Sequence, residues 1–457
     1  LIEYHLDDSP SADQLLLEGI AVGDRIGVGK VHKLFTLDGR DGSEDEASFQ
    51  EGEVLVTEMT DPDWEPLMKK ASAIVTDKGG RTCHAAIVAR EMGIPAIVGC
   101  GNASQTLEPD QEVTVSCAQG EVGVIYKGLL PFRQEEIQLG ELPQSRVKLM
   151  MNVASPDLAF KFSRVPHAGV GLAREEFIIN NYIKAHPLAL LHHEELGDED
   201  FSRSIKSLTA GFKDARSFFV KKLAYGIGRI AAAFYPQDVV VRFSDFKSNE
   251  YMNLLGGQYY EPSEENPMIG WRGASRYYSD QYKEAFGLEC QAIKKVRNEM
   301  GLDNVIVMVP FCRTPGEMKQ VLETMEEFGL KRGENGLQVY LMAELPSNIL
   351  LADEFAEYVD GFSIGSNDLT QLTLGLDRDS SLVAHLYDER NRAVKLMISQ
   401  LIRTAKAKGV KVGICGQAPS DFPEFASFLV QEGIDSISVT PDSVMKTLRA
   451  IHQIEDS

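Results

Sequence analysis

Apolar residues recur along this chain in two rhythms. Between about Gly19 and Lys127 they fall in short runs set off by glycine-rich turns, such as Val54-Leu55-Val56-Thr57, Ala73-Ile74-Val75-Thr76, Ala96-Ile97-Val98 and Glu121–Tyr126. Short β-branched runs with glycine boundaries predict strands. Ala85–Met92 breaks that pattern and predicts a helix, closed by Gly93 and by Pro95 two residues later. From Val147 onward, short apolar runs alternate with longer amphipathic stretches. Eight strands are expected there: Lys148–Ala154, Ala168–Leu172, Val239–Phe243, Val305–Val309, Val339–Ala343, Gly361–Ile364, Lys411–Ile414 and Ser436–Val439. Glu317–Phe328 and Ala393–Lys408 are among the helices between them, and Leu172 to Val239 reads as a helical excursion after the second strand. Eight βα units over roughly 300 residues predict a (β/α)8 TIM barrel. Gly128–Ser145 has two prolines and no clear period, so it reads as a linker, part of it a short helix. The expected organisation is α/β: a small domain over 1–127, a linker over 128–146 and a barrel over 147–457.

Composition narrows the function classes. The 457 residues carry 46 Lys and Arg against 68 Asp and Glu, a net charge of −22. Such acidity argues against nucleic acid as a partner, because that affinity rests on clustered cations. An anionic substrate would have to be held by local arginines, helix N-termini or a metal ion. No apolar run reaches the roughly 18–20 residues of a membrane span. The six cysteines lie far apart with no CxxC pair, which removes the usual zinc and redox motifs and points to the cytoplasm. The first residue is Leu1, so the chain is expected to be the C-terminal part of a longer polypeptide.

Two sets of residues carry candidate chemistry. In Thr76-Asp77-Lys78-Gly79-Gly80-Arg81-Thr82-Cys83-His84, a strand ends, two glycines free the backbone, and a helix starts near His84. An imidazole at a helix N-terminus can carry a phosphoryl group whose charge is met by backbone N–H groups, Arg81 and Thr82. A structural histidine capping the helix fits the same spacing. The second set falls at the C-terminal ends of barrel strands, where barrel active sites collect. It comprises Arg174, Arg242, Glu344, Gly365, Ser366, Asn367, Asp368 and Cys415. Glu344 and Asp368 offer oxygens suited to Mg²⁺, and the arginines offer forked donors for phosphoryl oxygens. Rim salt bridges would also use such residues. Position alone leaves Cys415 either a buried inert thiol or a general acid–base.

The segment GGRTCHAAIVAREMGIPAIVG is similar to the phosphohistidine signature of the phosphoenolpyruvate-utilising enzymes, which include synthases, dikinases and the sugar phosphotransferase Enzyme I. The segments GLAREEF, VRFSDFKSNEY, NPMIGWRGASR, AELPSN, IGSNDLTQLTLGLDRDS and ICGQAPSD resemble the pyruvate/phosphoenolpyruvate barrel of that family, in the family's order. Thr-Cys-His-Ala-Ala, SDFKSNEY and ICGQAPSD look most like the synthase branch. The resemblance implies a swivelling phosphohistidine domain followed by the barrel. It also implies phosphoryl transfer between phospho-His84 and pyruvate, within a gluconeogenic reaction of ATP, pyruvate and water. By the same likeness Arg174, Arg242, Glu344, Gly365, Ser366, Asn367 and Asp368 bind substrate, Glu344 and Asp368 hold Mg²⁺, and Cys415 is the proton donor. Arg272 and Arg378 fall in matching segments, either one a possible rim arginine. The resemblance further implies a homodimer and a regulatory kinase/phosphorylase acting on Thr82. ATP would act only through an N-terminal ATP-grasp domain, which nothing in these residues resembles. A dikinase, an Enzyme I-type phosphocarrier and a non-catalytic scaffold are the alternatives.

Overall fold

The computed structural model describes residues 2–7, 10–11, 14–35, 49–60, 64–80, 83–118, 122–136, 145–377, 380 and 382–455. Arg81, Thr82 and Arg378 therefore lie outside the described residues. The chain divides into two compact units, Leu1–Leu142 and Pro143–Ser457.

The first unit contains β1 (Ile2–Leu6), β2 (Leu15–Val22), β3 (Ile26–Lys33), β4 (Val54–Thr57), β5 (Ala73–Thr76), β6 (Ala96–Val98), β7 (Glu112–Ser116), β8 (Val122–Lys127) and β9 (Phe132–Glu136). Seven of these close on themselves in the order β2-β6-β5-β4-β3-β7-β8. The parallel strands β4, β5 and β6 are buried throughout, which is why they read as unbroken apolar runs. Their period-two alternation still divides the core. Val54, Val56, Ala73 and Val75 pack into one cluster, while Leu55 and Ile74 pack into another with the helix residues Ala85, Ala86 and Ala89. That helix runs His84–Met92 and ends at Gly93, in the left-handed conformation at φ +66°.

The stretch expected to be a linker with a short helix contains a strand instead. Phe132–Glu136 pairs antiparallel with Ile2–Leu6, so its backbone groups are satisfied by a partner about 130 residues away in sequence, which local pattern cannot reveal.

The second unit is the expected barrel. Eight parallel strands close in sequence order: β10 (Lys148–Val153), β11 (Val170–Arg174), β12 (Val239–Arg242), β13 (Val305–Val309), β14 (Val339–Ala343), β15 (Gly361–Ile364), β16 (Lys411–Ile414) and β17 (Ser436–Val439). β11 starts two residues later than expected. Gly169 sits at φ +127°, and a Cβ there would come within 2.3 Å of the Asp238 carbonyl oxygen, so the extended segment begins only beyond it. The excursion after β11 is helical, and its longest element, Ala215–Phe234, is started by Asp214 accepting from the Ser217 N–H at 2.6 Å. Among the described residues, no helix is long and apolar enough to cross a membrane.

Candidate active site

In the small unit, His84 is the first residue of its helix, with Cys83 as the extended N-cap residue. The first-turn N–H groups and the macrodipole make this end favourable to an anion. His84 Nδ1 and Thr60 Oγ1 are hydrogen-bonded at 2.9 Å. The approach to the helix is pinned from below. Thr76 Oγ1 donates to the Lys78 carbonyl at 2.7 Å, and Asp77 accepts from both the backbone N–H and the hydroxyl of Ser104. Gly79 sits at φ +113°, and a Cβ there would meet Cys83 Sγ at 2.7 Å. Thr60 escaped sequence reasoning; its segment, Glu58-Met59-Thr60-Asp61, carries no signal of its own.

In the barrel, Arg174 and Arg242 end adjacent strands, and Glu344, Gly365–Asp368 and Cys415 follow β14, β15 and β16. Arg242 donates to Glu176 Oε1 at 2.9 Å and pairs with Asp245 Oδ2 at 3.2 Å. Arg272 donates to both oxygens of Asp245 at 2.8 and 2.9 Å and to Asp368 Oδ2 at 2.7 Å, stacked over the Phe311 ring. Glu344 Oε1 accepts from the Phe311 N–H at 2.7 Å. Arg272 is thus no rim residue but a buried tie between two of the acids. Arg174 is solvent-exposed.

Asp245, Glu344 and Asp368 are all buried and bring carboxylate oxygens within 4.8 Å of one another. With Glu176, four carboxyls face the guanidiniums of Arg242, half-buried, and Arg272, buried. Burial, then the charges of Asp368 and Asp245, push the Glu344 carboxyl well above its ordinary range, against the pull of the arginines. Asp245 is buried too, but Arg272 and Arg242 outweigh that cost and hold it below the usual range. The donor set is all hard oxygen with an excess of negative charge, which fits a small divalent cation. Asp245 was not singled out in the sequence. It stands three residues beyond Arg242, and that i, i+3 placement at a strand end was the available signal.

The β15 turn is shaped by its neighbours. A Cβ on Gly365 would meet Glu344 Cβ and Oε2 at 3.0 Å, so glycine lets the two strand ends close. Ser366 Oγ donates to Glu389 Oε1 at 2.5 Å. Asn367 Oδ1 accepts from the Gln417 N–H at 3.0 Å, which turns the amide nitrogen into the group available for recognition. Cys415 is 4% exposed, and its Sγ faces the Ile364 carbonyl at 3.7 Å. Burial pushes this thiol up, while Ser363 and Arg242 pull it down.

Behind the arginines lies a second acidic pair. Glu289 accepts from the N–H and hydroxyl of Ser244 at 3.1 and 2.6 Å, fixing the residue between Phe243 and Asp245. Glu175, next to Arg174, is fully buried beside Glu289, a second carboxyl of its own sign. Burial and the like charge of Glu289 push Glu175 well up. The pair links the loops that carry the two arginines.

Residues 133–456 match the family described as PEP-utilising enzyme, PEP-binding domain, and residues 49–120 match PEP-utilising enzyme, mobile domain. A relative from Aquifex aeolicus named phosphoenolpyruvate synthase is 58% identical over 97% of this chain and 56% of its own length. One of the same name from Synechocystis is 60% identical over 99% of this chain and 54% of its own length, and one from Escherichia coli K12 is 54% identical over 97% and 55%. The chain spans about half the length of the curated relatives it matches. Among solved structures, an HpcH/HpaI aldolase/citrate lyase family protein from Burkholderia cenocepacia covers 68% of this chain and 94% of its own at 16% identity, with a TM-score of 0.35.

Proposed function

This chain belongs to the PEP-utilising enzymes, and from that premise we propose that it performs the phosphoryl-transfer half of a phosphoenolpyruvate synthase (pyruvate, water dikinase) reaction: phospho-His84 and pyruvate to His84 and phosphoenolpyruvate. One observation carries the reading. A buried Asp245–Glu344–Asp368 cluster, opposed by Arg242 and Arg272, sits at strand ends of the same barrel as the buried thiol of Cys415.

Each residue then has a chemical task. Thr60 accepts from Nδ1–H of His84 and fixes the tautomer whose Nε2 carries the lone pair, so Nε2 takes the phosphoryl group. Arg174 and Arg242 hold the phosphoryl oxygens in transfer. The Asn367 amide and the backbone at Gly365 and Ser366 position the carboxylate of pyruvate. Glu344 and Asp368, with Asp245 within reach, would hold Mg²⁺, which when bound supplies positive charge to the enolate oxygen. Cys415 delivers a proton to the methylene carbon in one direction and removes it in the other. Transfer requires the His84 imidazole to reach the strand ends that carry these groups.

The whole enzyme would convert ATP, pyruvate and water to AMP, phosphoenolpyruvate and phosphate in gluconeogenesis, with ATP handled outside these residues. We also propose a homodimer and control by a kinase/phosphorylase at Thr82. Six free thiols support a cytoplasmic setting. The test is incubation with labelled phosphoenolpyruvate and Mg²⁺. The expected result is an acid-labile, base-stable label on His84 with release of pyruvate, lost in His84→Ala and Arg242→Ala. Absence of label in a folded sample would overturn the reading. Label handed on to a small HPr-type carrier protein would favour the Enzyme I class instead.

A further inference from the structure

A TIM barrel interior is ordinarily filled by layers of interlocking side chains. Here only part of it is. Leu172, Val240, Ile306, Met308 and Met342 pack together with Cys415 as an apolar cluster inside the ring. The other part is lined by Gly171, Ser363, Gly413, Ser436 and Ser438, which leave a cavity of about 240 Å³. Lys148 and Lys411, the first residues of β10 and β16, also line it and are exposed, so it opens at the N-terminal ends of the strands. At about 30 Å³ per molecule, that volume has room for roughly eight waters, and the serine hydroxyls give them partners.

This cavity reaches the underside of the proposed acid–base group. Ser363 on β15 pairs in register with Gly413 on β16, and Cys415 stands two residues beyond Gly413, hence on the same face one layer higher. The register puts the Ser363 hydroxyl beside the Cys415 sulfur, where it pulls the thiol down. Ser363 is 6% exposed and lines the cavity, so one hydroxyl lies between the layer of the thiol and the space below. The framework around it is tight. A Cβ on Gly413 would fall 2.2 Å from Ser436 Oγ, and one on Gly171 would fall 2.6 Å from Ser438 Cβ and Oγ. Ser438 donates to Asn152 Oδ1 at 2.8 Å, and Asn152 Nδ2 donates to the Cys415 carbonyl at 3.1 Å, which ties this wall to the backbone at the thiol.

We propose that Ser363 is a proton-relay residue, carrying the Cys415 proton to and from water in this cavity on the side of the barrel opposite the substrate. The inference rests on the reading of Cys415 as the group that exchanges a proton with the substrate carbon. When pyruvate gives up a methyl proton, the C–H electron pair stays on carbon as the enolate and Cys415 thiolate becomes thiol. The thiol proton then passes to Ser363 Oγ as the Ser363 proton passes to a cavity water, which restores the thiolate and releases one proton to solvent. In the opposite direction a cavity water supplies the proton in the reverse order. Bound substrate covers the upper face of a thiol that is already nearly closed, so reprotonation from below keeps water away from the enolate.

The test separates proton exchange from phosphoryl transfer in the whole chain. Deuterium incorporation into the pyruvate methyl group in D₂O is followed by NMR, and single-turnover transfer from labelled phosphoenolpyruvate to His84 is followed by rapid quench. Ser363→Ala should lower exchange at least tenfold more than it lowers single-turnover transfer, and Ser363→Thr should restore it. Ser436→Leu, which fills the mouth of the cavity without touching the thiol, should slow exchange and leave the first transfer unchanged. Exchange at the wild-type rate in both Ser363→Ala and Ser436→Leu would overturn the relay. So would equal losses of exchange and transfer in Ser363→Ala, which would mean that the hydroxyl merely orients Cys415. Cys415→Ala distinguishes the premise: exchange persisting there would overturn the role of the thiol and the relay with it.

Discussion

Glu175→Gln gives the most direct physical test of the acidic pair beneath the arginine loops. Glu175 is fully buried, and the charges acting on it are those of Glu289 and Glu176, both of its own sign. The folded protein therefore keeps a proton that the unfolded chain surrenders above the ordinary value of 4.5. A carboxyl raised in this way costs no stability at low pH. Stability then falls as pH rises above about 4.5, by up to about 1.4 kcal/mol per pH unit for one proton, until the folded group ionises. Gln keeps an N–H donor for Glu289 and has no proton to lose. From pH 5 to pH 7 the variant should therefore gain stability on the wild type, by at most about 2.7 kcal/mol for one proton. Glu289, itself pushed up to about 7 chiefly by burial, interacts with Glu175, so the difference between the two curves reports the titration of the pair. The chain has two tryptophans, Trp64 in the first unit and Trp271 in the second. In a Trp64→Phe background, Trp271 fluorescence during guanidinium unfolding reports the barrel alone. A difference between variant and wild type that stays constant from pH 5 to pH 8 would refute the shared-proton account.

Three further outcomes are expected. Thr60→Val should slow labelling of His84 by phosphoenolpyruvate about tenfold, the worth of one hydrogen bond near 1.4 kcal/mol, with Thr60→Ser restoring it; rapid quench measures both. Glu344→Gln should weaken Mg²⁺ binding at least tenfold by isothermal titration while far-UV circular dichroism stays unchanged, because it removes one of three converging carboxylates. Gly365→Ala should cost about 1–3 kcal/mol of barrel stability and weaken phosphoenolpyruvate binding, since its Cβ would press on Glu344; wild-type values of both melting temperature and Kd would contradict the packing argument.

The barrel was legible because its strands are buried on both faces and so announce themselves as apolar runs between amphipathic helices. Five of them, β13 to β17, lie where the pattern predicts to the residue. The pattern fails where the deciding contact is distant. Phe132–Glu136 is mostly polar and becomes a strand only because Ile2–Leu6 lies beside it. Among the site residues, those at strand ends could be read from the sequence, since the fold class says where strand ends converge. Asp245 and Thr60 come from the loops beyond, and their approach to Arg272 and His84 is set by closure of the whole ring. Glu175 and Glu289 are 114 positions apart, and no local period connects a residue at a strand end with one on the helix Lys283–Lys294.

Closed sheets have a consequence for association. A ring of strands presents no free ladder, so neither the seven-stranded sheet nor the barrel offers backbone donors and acceptors to a second chain. The two-stranded ribbon of Ile2–Leu6 and Phe132–Glu136 is different, because among the described residues each of its strands has one neighbour and one open side. A shortened chain that begins after Leu6 would strip β9 of its partner and turn a satisfied strand into a template for pairing. Trimming at this end is therefore a change in self-association as well as in length, and it would show first as concentration-dependent aggregation of a protein whose two cores are intact.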